Sequence, residues 1–403
     1  MSDTRRVSDS VPQAISLPSL FWIFFRIACT SFGGFMAMIS MVENVVVERR
    51  KLMSHHDMLD GISLASLLPG PVAVNLVVYV GYRLRGGSGA AVCALGAVLP
   101  SFAFIVMLSV TYFQWGQVPA VNRLFMGFIP AVAAIIVSAA WNMSLRSITG
   151  VREGAIALAA FAALLGIGGF YSTLGIIVGA GVIGWLLFRG AASAPSSEPG
   201  KKPATPKPGI HANVFMVNAV PLAGVPLWGF DPSLVMKLFG VFAGMSVMLF
   251  GGGYVFIPLI QEVVVNHHKW VTSQEFVDAI AMGQITPGPI LVSAAFIGLK
   301  VAGVVGAVTA TVGIYLPPAL LMVAGAHALG RIKRSIAIQA ALRGVHPAVI
   351  GMIFAAAVMV GQTSVPVSIS VLIFTGALYA LLRFRVEAVW IIPAAGLAGW
   401  WMY

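Results

Sequence analysis

The chain has 403 residues, of which 59% are apolar and only 9% are charged, and its mean hydropathy is +0.94. These values exclude a soluble globular protein and indicate a polytopic helical membrane protein. The formal net charge of +11 lies mostly in loops between long apolar runs, so it indicates cytoplasmic loops of a membrane protein rather than nucleic-acid binding. Both cysteines fall inside apolar runs, and no disulfide framework or thiolate metal site is predicted.

The first half contains an element that a continuous helix cannot cross. An apolar run over 17–47, which includes Arg26 and Ser31-Phe32-Gly33-Gly34, is followed by a basic turn at 48–51 and then by Pro69-Gly70-Pro71. Proline lacks an amide donor and clashes with the preceding helical turn, so the helix must break there. The apolar flanks are about 11 residues each, roughly 16 Å of helix, or half of a ~30 Å hydrocarbon layer. This pattern predicts two half-helices that meet in the middle of the membrane.

The second half-helix is expected to begin at Pro71, where a missing amide hydrogen costs nothing. The amides of Val72, Ala73 and Val74 then have no intrahelical acceptor, and this positive helix end suits an anion. Further apolar runs follow at about 89–113, 124–145 and 155–188, the last of which is long enough to cross twice. The composition from 191 to 209 changes to Pro, Ser, Ala and Lys, which is typical of a linker.

The second half repeats the special residues of the first. Phe250-Gly251-Gly252 follows Phe32-Gly33-Gly34, and Pro287-Gly288-Pro289 follows Pro69-Gly70-Pro71, at the same offset of 218 residues. Several glycines and prolines farther along match at 217, so we interpret the pattern as an internal duplication. The predicted domains are an N-terminal transporter repeat at 1–190, a linker and connecting segment at 191–232, and a C-terminal transporter repeat at 233–403.

The distribution of basic residues favours inverted repeats. If each Pro-Gly-Pro element returns to its own side, each half has about five crossings, the second half is inverted, and 17 of the 24 Lys and Arg residues lie in the cytoplasm. If the element spans the membrane instead, about 12 lie inside and 10 outside, which fits the positive-inside rule less well. The predicted fold is therefore all-α, with two inverted repeats of about five spanning helices, each with a re-entrant Pro-Gly-Pro element. Secondary transporters share this architecture.

Polar residues near the two breaks are candidates for substrate binding. Asn75 and Ser293 are repeat equivalents one turn after the break, while Ser66, Gln284 and Thr286 lie before it. Hydroxyl and amide groups donate hydrogen bonds to an oxyanion without adding charge. A pair of kinked spanning helices with no ligand remains the alternative interpretation of the breaks.

Several other groups each have two interpretations. Arg26 is expected to meet a bound anion or an acidic partner, or to extend to the membrane surface. The Phe-Gly-Gly motifs either bring backbone amides to the same cavity or pack small residues between helices. Glu43, Asp60 and Asp278 are possible proton carriers for coupling, with helix capping or pairing to basic turns as the alternative. No metal site and no cofactor are predicted, because the paired histidines lie in surface turns and are not repeat equivalents.

The combination of Ser-Phe-Gly-Gly, a basic turn and Leu-Pro-Gly-Pro with Phe-Gly-Gly-Gly and Gln-Ile-Thr-Pro-Gly-Pro resembles the chromate transporter family in its long, two-half form. The resemblance covers nearly the whole chain and implies a carrier of the bacterial inner membrane that exports chromate, a tetrahedral oxyanion, and confers chromate resistance. It implies functional roles for Arg26, Phe32, Gly33, Gly34, Pro69, Gly70, Pro71, Gly251, Gly252, Gln284, Pro287, Gly288 and Pro289. Position in the two breaks adds Ser66, Val72, Asn75, Thr286, Ile290 and Ser293.

The chain departs from the family pattern beside this site. Phe35 and Met38 stand where the family has proline and histidine, and Ser66 stands where it has glutamine. These differences leave sulfate or another anion as an alternative substrate. An intramembrane enzyme is a remote alternative, since no convincing acidic or His/Ser cluster lies at membrane depth. The expected partners are the oxyanion, the lipid bilayer, protons as a coupling ion and a second copy of the chain in a homodimer.

Overall fold

The computed structural model describes residues 15–31, 34–115, 119–189, 231–249, 256–328, 335–362 and 367–403. These residues are almost entirely helical, and no strand occurs among them, which confirms the predicted all-α class. Most of the linker at 191–232, and the motif residues Phe32, Gly33, Gly251 and Gly252, lie outside the described residues.

Seven helices form the described part of the first half. They are α1 (Leu17–Thr30), α2 (Gly34–Glu43) with a π-helical extension (Asn44–Arg49), α3 (His55–Leu67), α4 (Val72–Trp115), α5 (Pro119–Ser147), α6 (Val151–Ile167) and α7 (Phe170–Phe188).

The second half repeats the same order of elements. They are α8 (Pro232–Ser246), α9 (Phe256–Ile260) with a π-helical extension (Gln261–His267), α10 (Ser273–Ile285), a 3₁₀ turn (Ile290–Val292) leading into α11 (Ser293–His327), α12 (Ile336–Gly361), α13 (Val367–Tyr379) with a π-helical extension (Ala380–Phe384), and α14 (Ala388–Met402).

By length and composition, six helical segments of the described chain are able to cross a membrane. The shorter apolar helices include α1, α8 and α14. The six long segments are Val72–Trp115, Asn122–Leu145, Tyr171–Phe188, Ile290–His327, Ile336–Gly361 and Val367–Phe384.

Helices α4 and α11 are each folded back into a helical hairpin. Gly86 has φ +63°, and its repeat equivalent Gly303 has φ +60°, so the chain reverses at the same place in both halves. A Cβ added to Gly81 would lie 2.4 Å from the carbonyl oxygen of Gly89, a contact between residues eight apart that a straight helix cannot make. Each hairpin therefore has a short first limb behind the Pro-Gly-Pro break and a second limb that is long and apolar enough to cross a membrane.

The Pro-Gly-Pro elements are re-entrant. Helix α3 packs along the first limb of α4, because a Cβ on Gly61 would lie 2.4 Å from the ring of Tyr79. Asp57, twelve positions before Pro69, forms an ion pair of 3.0 Å with Arg83, twelve positions after Pro71. The ends of the two half-helices that lie far from the break are therefore on the same side of the membrane.

The second repeat closes its re-entrant element in the same way. Glu275 of α10 forms an ion pair with Lys300 of α11. The glutamate is offset from Asp57 by 218 positions, and the lysine is offset from Arg83 by 217. In both repeats, an ion pair therefore joins the two half-helices at their open ends, which are the ends far from the break.

The two repeats run in opposite directions. Glu153 at the start of α6 pairs with Arg343 of α12 at 3.3 Å, and Gly351 farther along α12 packs on the backbone of Ala157, so α6 and α12 are parallel. Helices α5 and α6 are antiparallel, because Val137 and Phe161, equally far from the turn at 148–150, line the same apolar cavity of about 890 Å³. Helix α5 is therefore antiparallel to α12, its own repeat equivalent, which confirms the inverted arrangement.

Glycine contacts interlock the repeats. A Cβ on Gly399 of α14 would lie 2.6 Å from the Cα of Gly127 in α5. In the equivalent pair, a Cβ on Gly344 of α12 would lie 2.6 Å from the Cα of Gly184 in α7. Small residues let helix backbones approach this closely within a membrane. Each half therefore packs its last helix against the fifth helical element of the other half.

Candidate functional site at the two Pro-Gly-Pro breaks

Each break is a short extended segment with one residue that only glycine tolerates well. Leu68 and Thr286 end the preceding helices with ψ values of 150° and 139°. Gly70 and Gly288 then have φ +110° and +108°, a region that side chains strongly disfavour. The matching dihedral angles show that the duplication extends to the backbone of the break itself.

Each break is hydrogen-bonded to the other repeat. The amide of Gly70 donates to the carbonyl oxygen of Leu249 at 2.5 Å, and the amide of Gly288 donates to the carbonyl oxygen of Ser31 at 3.0 Å. Ser31 and Leu249 are repeat equivalents at the offset of 218, and each directly precedes a Phe-Gly-Gly motif. The ends of the first helices in the two halves therefore lie at the breaks, as expected if the Phe-Gly-Gly motifs flank the same site.

The long limb of each hairpin also reaches the opposite break. A Cβ on Gly70 would lie 2.3 Å from the Cβ of Pro318, and a Cβ on Gly288 would lie 2.1 Å from the hydroxyl oxygen of Ser101. Ser101 donates that hydroxyl to the carbonyl oxygen of Pro287 at 2.5 Å. Ser101 and Pro318 are repeat equivalents at the offset of 217, so the contacts are reciprocal.

A single turn of α11 connects the two breaks. The hydroxyl of Tyr315 donates to the carbonyl oxygen of Pro289 in the second break at 3.4 Å. Pro318, three positions later, contacts Gly70 in the first break. Three residues of helix rise by about 4.5 Å, so both breaks contact the same short stretch of α11.

Two buried polar atoms at the breaks have no hydrogen-bond partner among the described residues. Asn75 is completely buried; its side-chain NH₂ donates to the carbonyl oxygen of Pro69 at 3.1 Å, and its Oδ1 atom is unpaired. Gln284, in the last turn before the second break, is also buried, and its Nε2 donor is unpaired. An unmade hydrogen bond of this kind costs about 1–3 kcal/mol, so both atoms are suited to a polar ligand.

The two breaks differ in their free donors. At the first break, the amide of Asn75 bonds to the carbonyl oxygen of Pro71, and the earlier amides of Val72, Ala73 and Val74 lack an intrahelical acceptor. Helix α4 thus presents the amide donors that the sequence predicts.

At the second break, the 3₁₀ turn that starts at Ile290 already uses one of the backbone amide donors in an internal hydrogen bond. The amide of Val292 bonds to the carbonyl oxygen of Pro289. The hydroxyls of Thr286 and Ser293 donate to the carbonyl oxygens of Gly283 and Ile290 at 2.9 and 2.8 Å. The first break and Gln284 therefore supply the unpaired polar groups.

Two further candidates lie on exposed surfaces. Ser66 donates its hydroxyl to the carbonyl oxygen of Ile62 and is exposed. Arg26 lies on the exposed face of α1, five positions before Ser31, and has no acidic partner within the part of the chain that the structure describes. Arg26 therefore remains a candidate for contact with an anion that approaches the breaks.

The candidate proton carriers differ in their surroundings. Glu43 pairs with His55 at 3.3 Å near the surface, and Asp60 is half-buried. Its repeat equivalent Asp278 is buried and accepts hydrogen bonds from the hydroxyl of Tyr112 at 2.8 Å and from the side-chain amide of Gln274 at 3.1 Å. Only Asp278 combines burial with neutral hydrogen-bond partners.

No group of three or more His, Cys, Asp or Glu residues in the described ranges is arranged to hold a metal ion. The histidine pair at 267–268 forms part of a surface turn, where the ring of His268 stacks on Trp270 with centroids 4.5 Å apart. Partial burial lowers the pKa of His268, and the positive charges of Lys237 and His267 lower it further.

Sequence reasoning missed the ion pairs that fasten the helices. The pairs Asp57–Arg83 and Glu275–Lys300 had a detectable signal, because both members recur at the repeat offsets. The pair between Glu153 and Arg343 had none, since its members belong to different halves and are not repeat equivalents.

Comparisons with known proteins agree with this architecture. A family model described as "Chromate transporter" matches residues 18–185 and 236–400. A probable chromate transport protein of Synechococcus elongatus is 30% identical over 88% of this chain and 87% of its own. The chromate transport proteins of Cupriavidus metallidurans and Pseudomonas aeruginosa are each 29% identical, over 95% and 99% of this chain and 92% and 96% of theirs. No solved structure matches the chain significantly.

Proposed function

Because the chain belongs to the chromate transporter family, we propose that it exports chromate from the cytoplasm as a secondary active carrier and so confers chromate resistance. Family membership and the membrane-length helices make it a multi-pass protein of the bacterial inner membrane. Its relatives are named as transporters, which points to a function other than catalysis.

The observation that carries the proposal is the meeting of the two breaks between inverted repeats. Secondary transporters bind their substrate near the bilayer midplane, where interrupted helices of both repeats expose helix ends. Here the amides that begin at Val72, the unpaired atoms of Asn75 and Gln284, and Arg26 are the groups proposed to hold a tetrahedral oxyanion. The 890 Å³ cavity between α5, α6, α12 and α13 is lined mainly by apolar side chains and does not suit an anion.

The remaining candidates come from the sequence, and the structure describes all of them except Phe32, Gly33, Gly251 and Gly252. Gly70 and Gly288 shape the breaks, and the adjoining prolines interrupt the helices. The remaining proposed residues are Phe32, Gly33, Gly34, Ser66, Pro69, Pro71, Gly251, Gly252, Thr286, Pro287, Pro289, Ile290 and Ser293.

Transport is proposed to proceed by rocking of one repeat against the other. Within the described residues, the amide of each break glycine forms one hydrogen bond to the opposite repeat, and these bonds are proposed to be exchanged as one side opens and the other closes. Asp278 is proposed to carry the coupling proton. Burial among neutral partners disfavours the charged form of a carboxylate, so a conformational change that exposes Asp278 to water would promote release of its proton. A surface carboxylate would respond less to the same change. Glu43 and Asp60 are the weaker candidates for this role.

The test is the accumulation of labelled chromate in cells that express the protein, with and without excess sulfate. Export predicts lower accumulation than in control cells, and the Gly70→Ala variant is expected to abolish the difference. The matched control is Gly376→Ala, since a Cβ at Gly376 meets no atom within 4 Å. Equal accumulation in expressing and control cells would contradict the proposal, and full competition by sulfate would favour a general sulfate or oxyanion carrier.

A further inference from the structure

Four buried side-chain atoms in the described chain lack a hydrogen-bond partner, and two of them lie at the breaks. The atom at the first break, Oδ1 of Asn75, accepts hydrogen bonds, whereas the atom at the second break, Nε2 of Gln284, donates them. A ligand that satisfies both must itself present an acceptor and a donor.

The orientation of the Asn75 side chain is fixed by its other contact. Its NH₂ group donates to the carbonyl oxygen of Pro69, so the opposite orientation would place two oxygens against each other. The free atom is therefore the oxygen. A fully deprotonated tetrahedral oxyanion has only acceptors and would be repelled there, but an oxyanion that retains one proton has a hydroxyl to donate.

Charge at the breaks favours the same form. Within the described part of the chain, the side chains buried at the breaks are neutral, and Arg26 is exposed. Desolvation of an ion becomes much more costly as its charge rises, so a monoanion is accommodated by amide donors more easily than a dianion.

We propose that this site binds the monoprotonated form of its oxyanion, hydrogenchromate rather than chromate dianion. The ligand hydroxyl donates to Oδ1 of Asn75, and the other ligand oxygens accept from Nε2 of Gln284 and from the amides that begin at Val72. This inference rests on the proposed function and specifies the ionic form of the substrate.

A site that binds the protonated oxyanion would distinguish anions of similar shape by their acidity. Hydrogenchromate loses its proton near neutral pH, whereas hydrogensulfate is a far stronger acid and is absent under the same conditions. A site that requires a hydroxyl donor therefore rejects sulfate and selenate through an unmade hydrogen bond, without any difference in size.

Other titratable groups lie on the elements that pack around the breaks and must be separated from the titration of the ligand. These groups are Arg26 and Cys29 on α1, His55, His56, Asp57 and Asp60 on α3, Tyr79, Tyr82, Arg83, Arg85, Cys93 and Tyr112 on α4, Lys237 on α8, Glu275 and Asp278 on α10, and Lys300, Tyr315 and His327 on α11. Asp278, the proposed coupling residue, is the buried carboxylate among them, so the Asp278→Asn variant is used to remove its contribution to the pH dependence.

The experiment measures the Kd of the purified full-length protein for labelled chromate across a pH series, with selenate as the competitor that exists only as a dianion. Above the pKa of the oxyanion itself, the apparent Kd is expected to rise about tenfold per pH unit, because only the protonated fraction binds. Asp278→Asn removes any pH dependence that the Asp278 carboxyl itself adds to binding, so a tenfold slope per pH unit that remains in this variant belongs to the ligand. Selenate is expected not to compete.

A second variant tests the acceptor directly. Asn75→Ser replaces the amide oxygen with a hydroxyl that donates as well as accepts, as Ser293 does at the equivalent position. It is expected to flatten the pH slope and to admit selenate.

The possible results separate the inference from the function. A wild-type Kd that is constant or falls with rising pH, or competition by selenate, overturns the inference and leaves chromate as the substrate. No binding of chromate at any pH overturns both. A slope that is retained in Asn75→Ser would show that Asn75 does not select the protonated form.

Discussion

The amide of Gly70 donates a hydrogen bond of 2.5 Å to the carbonyl oxygen of Leu249, which belongs to the other repeat. The equivalent bond joins Gly288 to Ser31 at 3.0 Å. Each half of the molecule therefore needs the other half to complete its break. This reciprocity brings the two breaks of the duplicated chain together.

The first prediction concerns the two break glycines. Gly70→Ala gives a side chain to a residue whose φ is +110°, and the new Cβ would lie 2.3 Å from the Cβ of Pro318. The proline ring cannot rotate away from this contact. A strained backbone of this kind costs about 1–3 kcal/mol before the clash is counted. We expect a lower melting temperature in detergent and loss of chromate transport, whereas Gly376→Ala should behave as wild type.

Gly288→Ala offers a comparison within the same molecule. Its backbone conformation is equally strained, but its Cβ would meet the hydroxyl of Ser101, which forms a hydrogen bond to Pro287. The double variant Gly288→Ala with Ser101→Ala is therefore expected to recover part of the lost melting temperature. No recovery would indicate that backbone strain alone, rather than the contact with Ser101, sets the cost.

The ion pairs at the open ends of the re-entrant elements should differ in strength. The side chains of Asp57 and Arg83 are 35% and 50% exposed, whereas those of Glu275 and Lys300 are 19% and 30% exposed. Exposed pairs contribute about 0–1 kcal/mol, and less solvent screening strengthens the second pair. Double-mutant cycles on thermal stability should give a larger coupling energy for Glu275–Lys300, and a larger value for Asp57–Arg83 would contradict this ordering.

The ion pair between Glu153 and Arg343 should stabilise the contact between repeats. Glu153 has only 5% of its side chain exposed, so Arg343→Ala leaves a buried carboxylate without its partner. We expect a marked loss of thermal stability. The guanidinium also lies 4.7 Å from the centroid of the Phe188 ring. Because a buried ion pair is often replaceable by apolar side chains, Glu153→Leu combined with Arg343→Met should be more stable than Arg343→Ala.

The fourth prediction separates the two repeat-equivalent aspartates. Asp278→Asn removes the buried carboxylate that accepts the hydroxyl of Tyr112, whereas Asp60→Asn changes a half-buried residue. In proteoliposomes, transport driven by an imposed pH gradient should be lost in Asp278→Asn and retained in Asp60→Asn. If both variants respond to the gradient as wild type does, protons are not coupled through these carboxylates.

Much of the fold could be predicted from the sequence because glycine and proline leave a strong local signal. The breaks at Gly70 and Gly288 require φ values that glycine supplies, and their recurrence at one offset revealed the duplication. The reversal at Gly86 lies between the predicted half-helix and the predicted apolar run at about 89–113, but the sequence does not distinguish Gly86 from Gly87 and Gly89 as the residue with positive φ.

The site itself was only partly predictable, because its decisive features depend on tertiary contacts. Asp60 and Asp278 have equivalent positions in sequence, yet only Asp278 is buried against Tyr112 of the other repeat. The unpaired atoms of Asn75 and Gln284 likewise depend on which neighbours bond to the adjacent backbone. No local pattern contains this information.

The most direct test of the account measures exchange of labelled chromate by the purified protein in proteoliposomes. It compares the wild type, Gly376→Ala and the double variant Gly70→Ala with Gly288→Ala, each after confirmation that it remains a folded monodisperse species. The account predicts exchange in the first two proteins and none in the third. Exchange that persists in the folded double variant would place the path of the oxyanion elsewhere in the molecule.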